Sequence, residues 1–141
     1  MVKKPSYELM DHTADFGIHV FGNNAKDLFQ NAAMALMDQI VETVDLLARE
    51  ERHIAVQGND WSDLLVNWLR EILFLWVGEE TFAQSVQIES IAENSLTAHL
   101  WVDPFSSERH KLLSEIKAVT YHQAQVYETG NRWNAKVIFD T

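Results

Sequence analysis

Two short acidic segments near opposite ends of the chain carry the residue types best suited to holding a cation. One is Asp11-His12-Thr13-Ala14-Asp15; the other is Phe139-Asp140-Thr141, where Asp140 and the terminal α-carboxylate put two anionic groups within two residues. Oxygen ligands with neither cysteine nor clustered histidine suit Ca²⁺, Mg²⁺ or Mn²⁺ better than Zn²⁺. For the first segment two readings stand. It is a turn in which Asp11 and Asp15 bond nearby backbone amides, as short acidic side chains commonly do, or it lends a carboxylate to a hard cation. For the second, the plain alternative is an ordinary solvated terminus. The apolar run Val137-Ile138-Phe139 argues that this terminus is pinned, and a pinned pair of carboxylates is costly unless something cationic neutralises it.

Other chemistry is sparse. Lys117 lies within the apolar segment Glu115-Ile116-Lys117-Ala118-Val119-Thr120-Tyr121-His122. Its side chain either snorkels to the surface or pairs with a carboxylate or a partner. The six histidines, His12, His19, His53, His99, His110 and His122, show no HxH or HExxH spacing. His19 and His99 fall inside strand patterns and read as structural, while His12 and His122 sit in polar, motif-like settings. No G-x-S-x-G, P-loop or G-x-G-x-x-G is present. The absence of cysteine removes disulfides, thiolate metal sites and cysteine nucleophiles together.

A length of 141 residues reads as one domain spanning 1–141, and a hydrophobic share of 47% is enough to build a core. Eleven Lys+Arg against twenty-one Asp+Glu give a formal net charge of −10, which repels phosphate, so no direct nucleic-acid binding is expected. The first residues hold two lysines without a following apolar core, so no signal peptide is read. The longest apolar run, Leu64 to Val77, is too short for a bilayer and contains Asn67, Arg70 and Glu71. The expectation is a soluble cytoplasmic protein with no membrane partner.

The elements that must position these residues follow from periodicity. Residues 6–10 and 16–22 alternate apolar with polar and read as strands around the 11–15 segment. Asn23-Asn24 with Asp27 form a capping-box-like start to a helix whose apolar positions 25, 28, 29, 32, 33, 36, 37 and 40 make one stripe, leaving the other face wet. A short strand is expected at His53–Val56, and Asn59-Asp60 with Asp63 cap a second helix from Trp61 to about Val77. Its polar positions Asp63, Asn67, Arg70 and Glu71 form one narrow stripe, which predicts a helix buried from most sides. Strands are expected at 85–91 and 95–101 joined by Glu93-Asn94, then, after a loop from Asp103 to about His110, at 116–121, 124–127 and 133–139. No internal repeat or linker is evident. Two helices, one nearly fully buried, among mostly antiparallel strands define an α+β fold.

Four segments, in this order and at this length, resemble the archease family: Tyr7-Glu8 leading to Asp11-His12-Thr13-Ala14-Asp15; Asp63-Leu64-Leu65-Val66-Asn67-Trp68-Leu69 with Glu71; Lys117-Ala118-Val119-Thr120-Tyr121-His122; and Val137-Ile138-Phe139-Asp140. The resemblance implies an accessory protein, not an enzyme. Its partner would be the GTP-dependent RNA ligase that joins ends carrying a 3′-phosphate or 2′,3′-cyclic phosphate in tRNA splicing and RNA repair. The accessory protein would promote guanylylation of that ligase and its multiple turnover. It also implies chaperone-like service to tRNA-modifying enzymes such as tRNA methyltransferases.

By the same resemblance Asp15 and Asp140 bind a divalent metal with the carboxylate of Thr141 assisting. Calcium is expected first, with magnesium or manganese as alternatives. The functional lysine falls on Lys117, and Asp11, His12 and His122 join it as partner-facing residues. The chain departs from the family in ending on Thr141 where an aliphatic residue is usual, and in placing Leu113-Ser114 where Gly-Thr is common.

Overall fold

The computed structural model describes residues 5–10 and 16–141, so Asp11, His12 and Asp15 lie outside the described residues. In chain order the elements are β1 (Tyr7–Met10), β2 (Phe16–Gly22), α1 (Ala25–Ile40), β3 (Glu50–Gln57), α2 (Trp61–Glu79), β4 (Thr81–Ala92), β5 (Ser95–Pro104), β6 (Ala118–Thr129) and β7 (Arg132–Asp140), with a 3₁₀ turn at Thr43–Asp45. The strands form two antiparallel sheets, ordered β1-β2-β7-β6 and β3-β5-β4. The fold is α+β in one compact unit. Segments 116–121 and 124–127 are one strand, β6, interrupted by a bulge between Thr120 and Gln125 where Gln123 adopts φ +58°.

The two helices begin in the same way, thirty-six residues apart. Asn24 and Asp60 are the N-caps, accepting from the amides of Asp27 and Asp63 at 2.8 Å each. Asp27 and Asp63 return the bond to the amides of Asn23 and Asn59, at 2.9 and 2.8 Å. Each pair closes a reciprocal cap that satisfies otherwise orphaned donors. One turn later the Asn31 and Asn67 amides each donate to the carbonyl that precedes the glycine, Phe21 and Gln57 respectively, at 2.8 Å. Gly22 and Gly58 are required because a Cβ would sit 2.5 and 2.6 Å from the amide nitrogens of Leu28 and Leu64.

The sheets extend the correspondence. In β2-β7-β6 and in β3-β5-β4, the strand that leads into the helix is followed by the later strand of a hairpin and then the earlier one. The chain therefore holds two copies of a β-α-β-β unit, the second inserted between α1 and β6 of the first. Each helix packs across onto the other copy's sheet, α1 on β4 and α2 on β6. This repeat lies in side-chain and backbone roles more than in residue identities, which is why hydropathy reading passes over it.

The more buried helix is α1, not α2. Asn31, Met34 and Ala35, expected on a wet face, are buried with the apolar stripe. By contrast α2 exposes Arg70, Glu71, Phe74 and Val77, the last two 56% and 59% exposed. α1 lies against both β4 and β2, whereas α2 lies mainly against β6. The fourth strand β1 extends the first sheet alongside α1, and the Tyr7 hydroxyl meets Asp38 and Gln39 there. Among the described residues the second sheet has no such strand on β3. The opposite face of α2 is deep: Trp68 is fully buried and its indole N–H donates to the Phe29 carbonyl at 2.9 Å.

Candidate functional site

Sheet register gathers the sequence-nominated residues at one end of the first sheet. Phe16 stands opposite Phe139, which is also paired with Val119, and Ala118 stands opposite Asp140. The amide of Lys117 donates to the Asp140 carbonyl at 2.7 Å, so Lys117 and Asp140 are neighbours across the strand end. Val137, Ile138 and Phe139 are at most 2% exposed, and the Phe16 and Phe139 rings pack at 6.2 Å between centroids. The apolar anchor read from the sequence is present, and it holds Asp140 at the surface, where Thr141 is exposed beside it.

Among the described residues the Asp140 carboxylate has no hydrogen bond or ion pair, and no three His, Asp or Glu side chains gather to hold an ion. Hard carboxylate oxygen without sulfur or imidazole is donor chemistry that fits an alkaline-earth or manganese ion. The β2–β7 register brings the start of β2 to the same end of the sheet.

Lys117 is exposed and closes a loop that hydrogen bonds tie to the end of α1. It lines two adjoining hollows of about 540 and 220 Å³, the first floored by Trp76, Leu112, Leu113 and Ile116, the second by Leu73, Phe74 and Val119. The loop from residue 105 to 117 is tied to the end of α1 by Leu113 donating to Ile40 and Ser114 to Gln39, at 2.8 and 2.9 Å. Glu42 donates to Lys111 at 2.9 Å.

The root of the loop is held by Asp103, which is fully buried. It accepts from both terminal nitrogens of Arg109 at 2.9 and 3.0 Å, from the Leu47 amide at 2.9 Å and from His110 at 2.8 Å. The Ser106 amide donates to Nδ1 of His110, so that ring is neutral and carries its proton on Nε2, toward Asp103. Burial pushes the Asp103 carboxyl upward, but the Arg109, Leu47 and His110 bonds outweigh it and bring the pKa down to about 2. Sequence reading missed this clasp. The signal available was an aspartate that directly follows the buried alternation Leu96, Ala98, Leu100, Val102.

His122 lies in the β6 bulge, exposed and apart from Asp140. Tyr121 beside it donates to Asn67 at 2.9 Å, and the Arg70 guanidinium covers the Tyr121 ring at 4.3 Å while Arg70 donates to the Val119 carbonyl. A hollow of about 250 Å³ lined by Met10, Gln123, Gln125 and Lys136 connects the bulge with the end of β1. Met10 is the last described residue before the Asp11–Asp15 segment. Lys117 and Asp140 are thus brought together, His122 stands one bulge away, and Asp11, His12 and Asp15 fall outside the described residues.

A family model described as the archease protein family (MTH1598/TM1083) matches residues 7–141. The chain belongs to the archease family. Protein archease of Methanosarcina mazei is 34% identical over 138 residues, covering 95% of this chain and 94% of its own. That of Archaeoglobus fulgidus is 35% identical over 136 residues, covering 95% and 98%.

Among solved structures, Methanobacterium thermoautotrophicum protein 1598 superposes with a TM-score of 0.79 at 29% identity, covering 96% of this chain and 99% of the other. An archease of Thermotoga maritima, described as a possible chaperone, superposes with a TM-score of 0.65 at 22% identity, covering 100% and 98%. The latter likeness concerns the fold alone. The archease match spans all four segments that carried the resemblance, including the stretch 11–15. No helix among the described residues is long and apolar enough to cross a membrane.

Proposed function

We propose that this archease is a non-enzymatic accessory protein of a GTP-dependent RNA ligase, acting through a divalent-metal site at the end of the first sheet. The observation that supports this most is the pairing of Lys117 with Asp140 on a surface set by buried Phe139. An exposed lysine and an exposed aspartate that meet through the backbone at one strand end suit work on a partner's polar centre. Asp15, covalently next to Phe16, and Asp140 would hold the ion, with Thr141 assisting. The ion would supply positive charge to the ligase's phosphoryl-bearing site. Lys117 would meet a phosphate or carboxylate there. A net charge of −10 favours docking onto a basic, RNA-holding surface and speeds that encounter.

The test is multiple-turnover ligation by the same organism's ligase, present well below the RNA concentration, with GTP and Mn²⁺ supplied. Stimulation by the native protein, lost with Asp140→Ala and with Lys117→Ala while both variants melt as the native protein does, is the expected result. No stimulation by the native protein overturns the reading.

One observation favours a second reading. Val77, Leu112 and Leu113, each about half exposed or more, surround the larger hollow and could receive unfolded segments of RNA-modifying enzymes. Suppression of aggregation that survives Asp15→Ala would favour this chaperone-like role.

A further inference from the structure

The two faces of the first sheet are unlike. Buried Ile18, Val20, Ala135 and Val137 occupy one, and register puts His19, Phe21, Tyr127, Arg132 and Lys136 on the other. There the side chains form one connected layer. The Arg132 guanidinium lies over the Phe21 ring at 3.8 Å, and the Phe21 and His19 rings meet at 4.3 Å between centroids. Tyr127 stands 6.3 Å from His19, and the Lys136 ammonium lies 5.8 Å from the centre of the Tyr127 ring. Arg132 is exposed, and neither it nor Lys136 has an ion pair among the described residues.

The layer continues toward the end that carries Asp140. Gln123 and Gln125 join Met10 and Lys136 around the hollow of about 250 Å³, and neither glutamine amide has a hydrogen bond among the described residues. Gln123 holds φ +58° in the β6 bulge, a left-handed conformation that glycine adopts more readily. A glutamine kept there, beside a hollow, points to a use for its side chain.

Stacking planes, cations without carboxylate partners, and free amides that both donate and accept are together what single-stranded bases and their phosphates require. An acidic peptide would use the cations alone. The net charge of −10 opposes phosphate at long range. At physiological salt, however, the Debye length is about 8 Å, so the nearest charges decide. In register with this layer the carboxylates are Glu8, 3.7 Å from His19, and Asp140 at the far end, where the ion of the ligase reading would neutralise it.

We propose that this outer face of the first sheet binds single-stranded RNA. Bases stack over Arg132 and Tyr127, phosphates meet Lys136 and the edge of the Arg132 guanidinium, and one base enters the hollow beside Gln123 and Gln125. The choice of RNA among polynucleotides rests on the ligase reading; the stacking and the charge do not.

The probe is an end-labelled twelve-nucleotide single-stranded RNA, followed by fluorescence anisotropy in about 0.1 M salt. It should bind at least tenfold more tightly than the same RNA annealed to its complement, and than a polyglutamate of equal charge. Lys136→Glu should weaken binding at least tenfold. Lys26→Glu, the same charge change at an exposed position on α1, should alter it less than twofold. Gln123→Gly should weaken binding at least threefold while the protein melts no lower than the native one. Amide shifts mapped by NMR on the native protein should fall in β2, β6 and β7, a readout that stands even if a variant fails to fold.

Equal affinity for the single strand and polyglutamate, equal losses from Lys26→Glu and Lys136→Glu, or shifts confined to the second sheet overturn the proposal. A native protein that stimulates ligation yet binds no RNA by itself overturns it too, and leaves the ligase reading standing. RNA binding without stimulation does the reverse.

Discussion

The Tyr121 hydroxyl donates to Asn67, and Asn67 in turn donates to the Gln57 carbonyl, so one side chain on α2 ties together strands of both sheets. Its counterpart Asn31 makes the equivalent bond to Phe21 from a buried position. Net, a hydrogen bond of this kind contributes about 1 kcal/mol, and more when its loss strands a buried carbonyl. Tyr121→Phe is therefore expected to cost about 1 kcal/mol. Asn31→Ala should cost about 2–3 kcal/mol, because water cannot readily replace its amide. Urea unfolding of the two variants ranks them, and the reverse order would show that burial does not decide the cost here.

Trp68 contributes through both volume and its indole N–H. It is fully buried on α2 and donates to the Phe29 carbonyl, so it joins the two helices at their contact. Trp68→Ala should lose about 3–5 kcal/mol through the cavity it leaves. Trp68→Phe retains most of the packing and should lose less. Thermal unfolding compares them, and equal losses would assign the whole effect to the N–H bond.

Acid should loosen the loop that carries Lys117. Asp103 has a folded pKa of about 2, below its ordinary 3.8. A carboxyl whose folded pKa is depressed adds stability above its unfolded pKa and loses it as pH falls through the folded value. The contribution, about 2 kcal/mol, should be complete above about pH 4 and fade between about pH 4 and pH 2. Unfolding free energy measured across that window should fall less steeply for Asp103→Asn than for the native protein. Identical slopes would mean that other carboxylates dominate acid unfolding.

How legible the fold was depends on where each determinant lies. The caps at Asn24 and Asp60 were readable, because a reciprocal cap uses residues three apart. The Glu93-Asn94 hairpin was readable for the same reason of locality. Which helix is buried was not, since that depends on α1 lying against both β4 and β2 while α2 lies mainly against β6, a fact of tertiary packing and not of helical periodicity. The bulge at Gln123 split one strand into two patterns, because a one-sided irregularity resets the alternation that reveals strands. At the candidate site, Phe139 as anchor followed from the apolar run before Asp140. The Asp103–Arg109–His110 clasp did not, because an Asp-Pro pair at a strand end reads equally as the start of a loop.

Divalent ions offer the sharpest test of the Asp140 end. An ion bound only to the folded protein stabilises it by RT ln(1 + [ion]/Kd), about 2.7 kcal/mol at a hundredfold excess over Kd, which raises the melting temperature by about 6–10 °C for a domain of this size. Ca²⁺, Mg²⁺ and Mn²⁺ added to chelator-treated protein should each be compared. Asp140→Asn keeps the shape and removes the charge that a hard cation requires. Because Phe139 and Ile138 hold β7 in place and Asp140 is exposed, this variant should melt within about 2 °C of the native protein when no ion is present. Its ion-dependent rise should vanish, as should that of Asp15→Asn. A rise retained in both variants would place the bound ion elsewhere on this acidic surface and remove Asp15 and Asp140 as its ligands.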